Sequence, residues 1–292
     1  MKIPLVYFSA SGNTEYICKI VNKGMQRQNI TLKEISVQSA KKDPLDFEKN
    51  SVLGIATPIY EFNFARVIRK WMKTIPVAES PKKVFFIDTS GGAPGDAIKM
   101  AEEIMKSKNY HSIGALEVVT PTLEPFFNNR WYPVVWKDTT LNRAYYFGLS
   151  IGRKILKDQE EYIDFTIRLP GTGVLTKLMN WMESSPWGKR MMSGDLIGYR
   201  SSKCIQCLKC ESACPMDAIE IERKKVRDSH ECMFCATCVR TCPQGAFYIR
   251  YRPNAVLTKK DEGPKTIEGY VTPGSFIPEK KFVLSKSILD LL

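Results

Sequence analysis

Eight of the chain's nine cysteines fall between Cys204 and Cys242, and their spacing limits the possible folds more than any other feature of the sequence. Cys204, Cys207, Cys210 and Cys214 run into Pro215, and Cys232, Cys235, Cys238 and Cys242 run into Pro243. C-x2-C-x2-C-x3-C-P thus occurs twice, 28 residues apart, and Ala218 and Ile221 return as Ala246 and Ile249, which carries the repeat past the ligands into the packing. Three closely spaced thiolates can wrap three corners of a cubane, while the cysteine before the proline ligates the other cluster. The spacing predicts two [4Fe-4S] clusters, one on Cys204, Cys207, Cys210 and Cys242, the other on Cys232, Cys235, Cys238 and Cys214. Zinc competes for any single C-x2-C pair, but a closed zinc site takes four ligands, and two interleaved sets with trailing prolines do not follow that plan.

Ile205, Leu208, Ala213, Ile219, Met233, Phe234, Val239 and Phe247 surround these ligands with apolar bulk, which excludes water and helps to set a cluster's potential. From Lys203 to about Tyr251 the segment resembles the two-cluster bacterial ferredoxins, with all eight ligands in place. Thiolates reserved for iron imply a reducing compartment. The first residues, Met1 to Phe8, lead straight into a strand-like pattern instead of an export signal, and no apolar run reaches the roughly 20 residues of a spanning helix. A cytoplasmic protein is expected, soluble or at most peripheral. The formal charge is +12 before cofactors, and each oxidised cubane with its thiolates subtracts about two charges. The remaining basic surface favours an acidic redox partner, such as a ferredoxin or a dedicated reductase, or anionic lipid; nothing points to nucleic acid.

At 292 residues more than one core is expected. The first 120 residues alternate short apolar runs with helix-period segments, the pattern of a doubly wound parallel α/β sheet. Five strands are read at Ile3 to Phe8, Thr31 to Val37, Val52 to Ala56, Val84 to Asp88 and Leu116 to Thr120. Helical stripes run through Ile17, Ile20 and Val21, with Gly24 placed to end that helix, through Phe64, Val67, Ile68, Trp71 and Met72, and through Ala97, Ala101, Ile104 and Met105. Cys18 beside the first stripe reads as a small buried hydrophobe, and His111 and His230 as isolated structural residues.

Residues 124–198 are rich in aromatic and basic side chains, among them Phe126, Phe127, Trp131, Tyr132, Trp136, Tyr145, Tyr146, Trp181 and Trp187. Leu141, Tyr145, Leu149, Gly152 and Leu156 trace one helical face, and Val174, Leu175, Leu178 and Met182 another, so the stretch reads as a helical connector. Its aromatics either fill a core and cover a cofactor or face a membrane or partner. The expected domains are thus 1–123, the connector 124–198, the cluster module 199–252, and a polar tail 253–292 anchored by Phe282, Val283, Leu284, Ile288, Leu291 and Leu292.

Ser9-Ala10-Ser11-Gly12-Asn13-Thr14 joins the first strand to the first helix, where amides, hydroxyls and the positive helix end can face a phosphate. It is neither G-x-G-x-x-G nor a P-loop. Two further turns follow neighbouring strands, Thr57-Pro58-Ile59-Tyr60 and Thr89-Ser90-Gly91-Gly92-Ala93-Pro94-Gly95, and ligands of open α/β sheets bind at such carboxyl edges. Over Lys2 to Pro121 the trio resembles the flavodoxin family. The resemblance implies FMN, with phosphate on Ser9, Ser11, Gly12, Asn13 and Thr14, and with Thr57, Pro58, Ile59, Tyr60, Thr89, Ser90, Gly91 and Gly92 about the ring. Tyr60 is the stacking candidate, then Phe62 and Phe64, unless these are core.

The two halves together resemble flavodoxin-ferredoxin fusions of anaerobes, the EFR1-type ferredoxin family. FMN takes two electrons and can release them singly, whereas a cubane passes one, so an electron carrier between FMN, the clusters and a redox partner protein is expected. A reductase of a quinone or activated double bond is the second reading, with the connector's aromatics walling a pocket, and a membrane-associated electron-transfer module the third. No acid-base constellation marks the chain as an enzyme. The long connector is compatible with flavin-to-cluster transfer within one chain or across a homodimer.

Overall fold

A computed structural model of the protein describes residues 1–121 apart from 44, 48, 61 and 93, then 135–157, 161–167, 196–221, 231–250 and 262–280, with a few positions between 174 and 185. The sheet of the first half comprises β1 (Lys2–Tyr7), β2 (Thr31–Ser36), β3 (Val52–Tyr60), β4 (Asn63–Phe64), β5 (Lys82–Ser90), β6 (Tyr110–Val119) and β7 (Ile163–Phe165). Its order is β2-β1-β3-β5-β6-β7, parallel throughout, with the two-residue β4 antiparallel on β3. The first five strands of that order reproduce the 2-1-3-4-5 winding of flavodoxin-like sheets. The expected five strands are all present, β3 and β5 longer than anticipated and β6 beginning at Tyr110 instead of Leu116. β4 and β7 are additions, too short for a period-two pattern to reveal.

Both faces of the sheet are covered, which is why its strands read as unbroken apolar runs. Val84 and Phe86 point into a core with α2 (Val37–Lys42), α3 (Arg66–Thr74) and α4 (Ala97–Lys106); Phe85 and Ile87 point into the other, with α1 (Asn13–Gln26) and α5 (Asp138–Lys157).

The last of these helices corrects the expected boundary at residue 123. Leu141, Ala144, Phe147 and Ile151 of α5 share one core with Ile17, Val21 and Met25 of α1, and β7 extends the same sheet, so the first unit includes residues 138–165. The anticipated face of α5 is buried at Leu141 and Tyr145, while Leu156 at its end is 56% exposed. Gly24 does not end α1, which continues to Gln26. A Cβ on Gly24 would lie 2.1 Å from the carbonyl oxygen of Tyr145, and one on Gly148 would lie 2.1 Å from that of Val21. These two glycines let the helices cross backbone to backbone.

The second expected connector stripe does not face a core at Val174 and Leu178, which are 78% and 51% exposed, as is Trp181 at 68%, while Met182 is half-buried. Trp136 is buried, whereas Phe126, Phe127, Trp131, Tyr132, Leu175 and Trp187 lie outside the described residues.

The C-terminal segment is anchored earlier than anticipated. Trp136 N–H donates to Glu268 O at 3.0 Å, Tyr16 Oη–H to Val271 O at 2.7 Å and Lys23 Nζ to Gly274 O at 2.7 Å, while Phe276 is buried in the α1/α5 core. At its start, Gly263 and Pro264 press on the first loop: a Cβ on Gly12 would lie 2.6 Å from Pro264 Cδ. The anchors expected from Phe282 to Leu292 lie outside the described residues.

The cysteine module has its own antiparallel pair, β8 (Ile197–Tyr199) with β9 (Phe247–Ile249), and two short helices, Lys209–Ala213 and Thr237–Thr241. No helix among the described residues is long and apolar enough to cross a membrane.

Candidate functional site

The 28-residue repeat is written into the backbone of the cysteine module. Gln206, Leu208 and Asp217 adopt φ of 54°, 56° and 53°, and their equivalents Phe234, Ala236 and Gly245 adopt 57°, 56° and 59°. Five of those six carry a Cβ, and each left-handed residue costs about 1–2 kcal/mol, so the loops are held open against local preference. The two helices also begin and end 28 residues apart, and Ala218, Ile221, Ala246 and Ile249 are all buried. The result is the same local chemistry twice: Ala218 N–H points at Cys214 Sγ (3.3 Å) and Ala246 N–H at Cys242 Sγ (3.2 Å). Gln206 N–H also approaches Cys204 Sγ at 3.4 Å. Amide hydrogen bonds to a ligating sulfur stabilise the reduced, more negative cluster.

Cys204, Cys207, Cys210 and Cys242 line one small cavity, with Ile205, Leu208 and Phe247. Cys214, Cys232, Cys235 and Cys238 are close enough to act on one another electrostatically, and Cys238 also feels Cys210. All eight are free thiols, and among the described residues no three ligating side chains close on one point as a single metal ion demands. Without iron, burial raises the Cys210 thiol to about 11 and the Cys235 thiol to about 12, and holds Cys238 well above its ordinary range. Metal loading must therefore expel protons.

At the carboxyl edge of the sheet the three turns meet. Ser11, Asn13, Thr14, Pro58, Ile59, Tyr60, Thr89, Ser90 and Gly91 line one cleft of about 70 Å³ together with Pro121. Thr14 Oγ1 and Thr89 Oγ1 share a hydrogen bond of 2.8 Å that ties the first turn to the third. Gly12, at φ +93°, starts α1 with no side-chain cap, which leaves first-turn amides facing the cleft. Ser9 does not face the cleft: its Oγ accepts from Gly12 N–H at 3.1 Å and shapes the loop from within. Asn13 donates to Pro121 O at 2.6 Å, while its Oδ1 is buried without a partner among the described residues, an acceptor available to a ligand hydroxyl. Thr57 also turns inward, accepting from Ala65 N–H, and Gly92 N–H approaches Ser90 Oγ at 3.3 Å. Of the aromatic candidates, Tyr60 is half-buried at the cleft and Phe62 half-buried at φ +62°, but Phe64 is core, edge-on to Phe86. Amides, hydroxyls and a helix end suit a phosphate.

Cys18 is buried in the α1 core, where desolvation holds its thiol up. His111 is exposed at the start of β6, and His230 lies outside the described residues.

One constellation was not anticipated. Asp88 of β5 and Glu117 of β6 are register neighbours, 0% and 3% exposed. Burial raises Glu117 to about 7 and Asp88 well above its ordinary range, and neither Asp88 oxygen has a donor among the described residues. The legible signal was a carboxylate at the end of one apolar run, Phe85-Phe86-Ile87-Asp88, and another inside a second, Ala115-Leu116-Glu117-Val118. Glu117 accepts from Ile167 N–H; Arg143, beside Asp164 and Glu117, donates to Phe165 O at 2.6 Å. The folded pair keeps protons that the unfolded chain releases above about pH 4.5. Stability is therefore expected to fall as pH rises from about 5 to about 7, on the order of 5 °C in Tm, and Asp88→Asn to flatten that slope in calorimetry.

Residues 203–246 match the family described as the 4Fe-4S dicluster domain. A flavodoxin of Clostridium saccharobutylicum is 32% identical over 73 residues, 25% of this chain, which thereby spans 44% of that curated relative's length. Among solved structures, a flavodoxin from the domain Archaea has a TM-score of 0.42 at 18% identity, covering 53% of this chain and 99% of its own. A flavone reductase has a TM-score of 0.43 at 14% identity, covering 56% of this chain and 66% of its own. The chain thus joins a parallel sheet of flavodoxin strand order to a segment similar to the 4Fe-4S dicluster domains.

Proposed function

We propose that the protein is an electron-transfer flavo-iron-sulfur protein of the flavodoxin-ferredoxin fusion type, carrying FMN and two [4Fe-4S] clusters. In this reading it relays electrons to or from an acidic redox protein in anaerobic metabolism. The observation that carries it is the doubled thiol geometry on one chain with a phosphate-suited cleft. Bound FMN supplies exchange between two-electron and one-electron chemistry. The protein's own part is to hold and insulate. First-turn amides of α1 and the Thr14 hydroxyl receive the phosphate, Tyr60 covers the ring, and Asn13 Oδ1 accepts from a hydroxyl. The eight thiolates fix the clusters, and the buried alanine and isoleucine pairs exclude water from them. The membrane-facing reading rests on aromatics that lie mostly outside the described residues.

Anaerobic purification followed by analysis of iron, sulfide and released riboflavin phosphate tests the proposal. About eight iron atoms and one FMN per chain are expected; a colourless preparation lacking both defeats it. Rapid turnover with a quinone in the absence of any protein acceptor would favour the reductase reading instead. Thr14→Val is expected to weaken FMN binding about tenfold, measured by flavin fluorescence quenching, because it removes a phosphate donor and the bond to Thr89 together.

A further inference from the structure

We propose that the two cages stand in series in a fixed order. Cys232, Cys235, Cys238 and Cys214 hold the inner cluster beside the flavin cleft, and Cys204, Cys207, Cys210 and Cys242 hold the outer one, where an acidic redox partner docks. The order rests on the reading above that the chain carries FMN and two clusters.

The inner position follows from what packs on what. Cys235, Met233, Met216 and Ala218 belong to the same apolar body as Phe64, Val67 and Trp71, and Ile59, Tyr60 and Cys214 pack against it. Ile59 and Tyr60 are also walls of the flavin cleft. A continuous run of side chains, all on one chain, therefore joins cleft to cage. Ion pairs clamp the junction on both sides of the ligands: Lys41 of α2 meets Asp217 at 2.6 Å, three residues past Cys214, and Lys70 of α3 meets Glu231, one residue before Cys232.

The other cage faces away. Cys210 belongs to a separate apolar body with Ile197, Ile219, Phe247 and Ile249, with Cys204 packed against it; of the inner set, Cys238 also reaches this body, whereas Cys235 does not. Cys207 is exposed and the neighbouring Ile205 is 61% exposed, so this cluster approaches the surface. Lys203 and Lys209 stand exposed on either side, which makes the patch apolar at its centre and cationic at its rim. Charge complementarity selects an acidic partner, and a shallow apolar centre suits the small, brief contacts of redox proteins. Cys214 touches both apolar bodies and links the cages covalently through the chain. Each hop moves one electron and makes no bond: the donor is oxidised by one, the acceptor reduced by one, and protons released at the ring go to solvent.

The test uses the anaerobic holoprotein with flavin and iron assayed first. A light pulse reduces the flavin at the expense of an added sacrificial amine such as EDTA, which is oxidised, and arrival of electrons is followed in the iron-sulfur absorption, then in a small acidic ferredoxin added as acceptor. Lys203→Glu combined with Lys209→Glu is expected to leave flavin-to-cluster transfer within twofold and to slow reduction of the ferredoxin at least tenfold. Met233→Glu is expected to slow flavin-to-cluster transfer at least tenfold and to shift the potential of one cluster in redox titration. Because a buried carboxylate can unfold the module, Lys70→Glu is the companion variant: it repels Glu231 from the surface, and with full iron content it should slow the same step at least threefold. If the double lysine variant slows the flavin step while Lys70→Glu leaves it untouched, the order is reversed and the proposal fails. A preparation with full iron but no flavin overturns the functional reading itself, and the order with it.

Discussion

Replacing Cys214 with alanine is expected, on the proposed ligand assignment, to halve the iron content from about eight atoms to about four, although the other three thiols of its cluster lie at least 18 residues further along the sequence. Cys204, Cys207 and Cys210, its nearest cysteines, should keep their cluster, because they share a cavity with Cys242 and not with Cys214. The complementary Cys242→Ala variant should spare the cluster of Cys232, Cys235 and Cys238. Two distinct electron paramagnetic resonance spectra, one per variant, are the expected readout. Were each half instead a closed unit with its own four cysteines, Cys214→Ala would disturb the signal of the first three thiols. Cys214→Ala should also loosen the module, since binding energy of the lost cluster is folding energy here: five non-glycine residues sit in left-handed conformations that only a filled cage repays.

The second large effect concerns the layer beneath the cleft. Gly148→Val will destabilise the first unit by about 3 kcal/mol or more, a fall of roughly 10 °C in Tm. Even the first added carbon would lie 2.1 Å from Val21 O, and main chain cannot give way as a side-chain tip can. Gly24→Val should act alike, through Tyr145 O. The double variant should cost less than the sum, because separating α1 from α5 once relieves both collisions. Calorimetry and urea titration of the two singles and the double decide this. Since α1 begins at the phosphate-facing turn, its displacement should weaken FMN retention as well.

What the sequence revealed, and what it hid, follows from range. Ligand spacing in the cysteine module is local: three thiols within seven residues suit a common centre, and the repeat at 28 residues is what raises the expectation that the fourth is exchanged. The three turns were legible because each sits directly after an apolar run, where a parallel sheet must present its ligand edge. Gly24 misled, because a glycine near a helix end has two meanings, and only a partner 121 residues away, Tyr145, distinguishes a terminus from a close crossing. The helix Asp138–Lys157 was visible as a helix, but its loyalty to the sheet was not, since an aromatic face fits a connector or a core equally well. Phe64 carried two readings, a ring candidate for its place just after the second turn and a core residue for its helical spacing; burial against Phe86 assigns it to the core. Asp88 and Glu117 went unnoticed as a pair, for register across neighbouring strands leaves no trace in either strand alone.

The contact of Gly263 and Pro264 with Ser11 and Gly12 has a consequence for how the molecule is made. A ribosome releases all eight cluster thiols before it delivers the segment that walls the first loop. Iron-sulfur assembly can therefore begin on a nascent chain, whereas the first loop gains its backing only after residues 263–276 have emerged and settled. Translation order thereby lets metal precede vitamin.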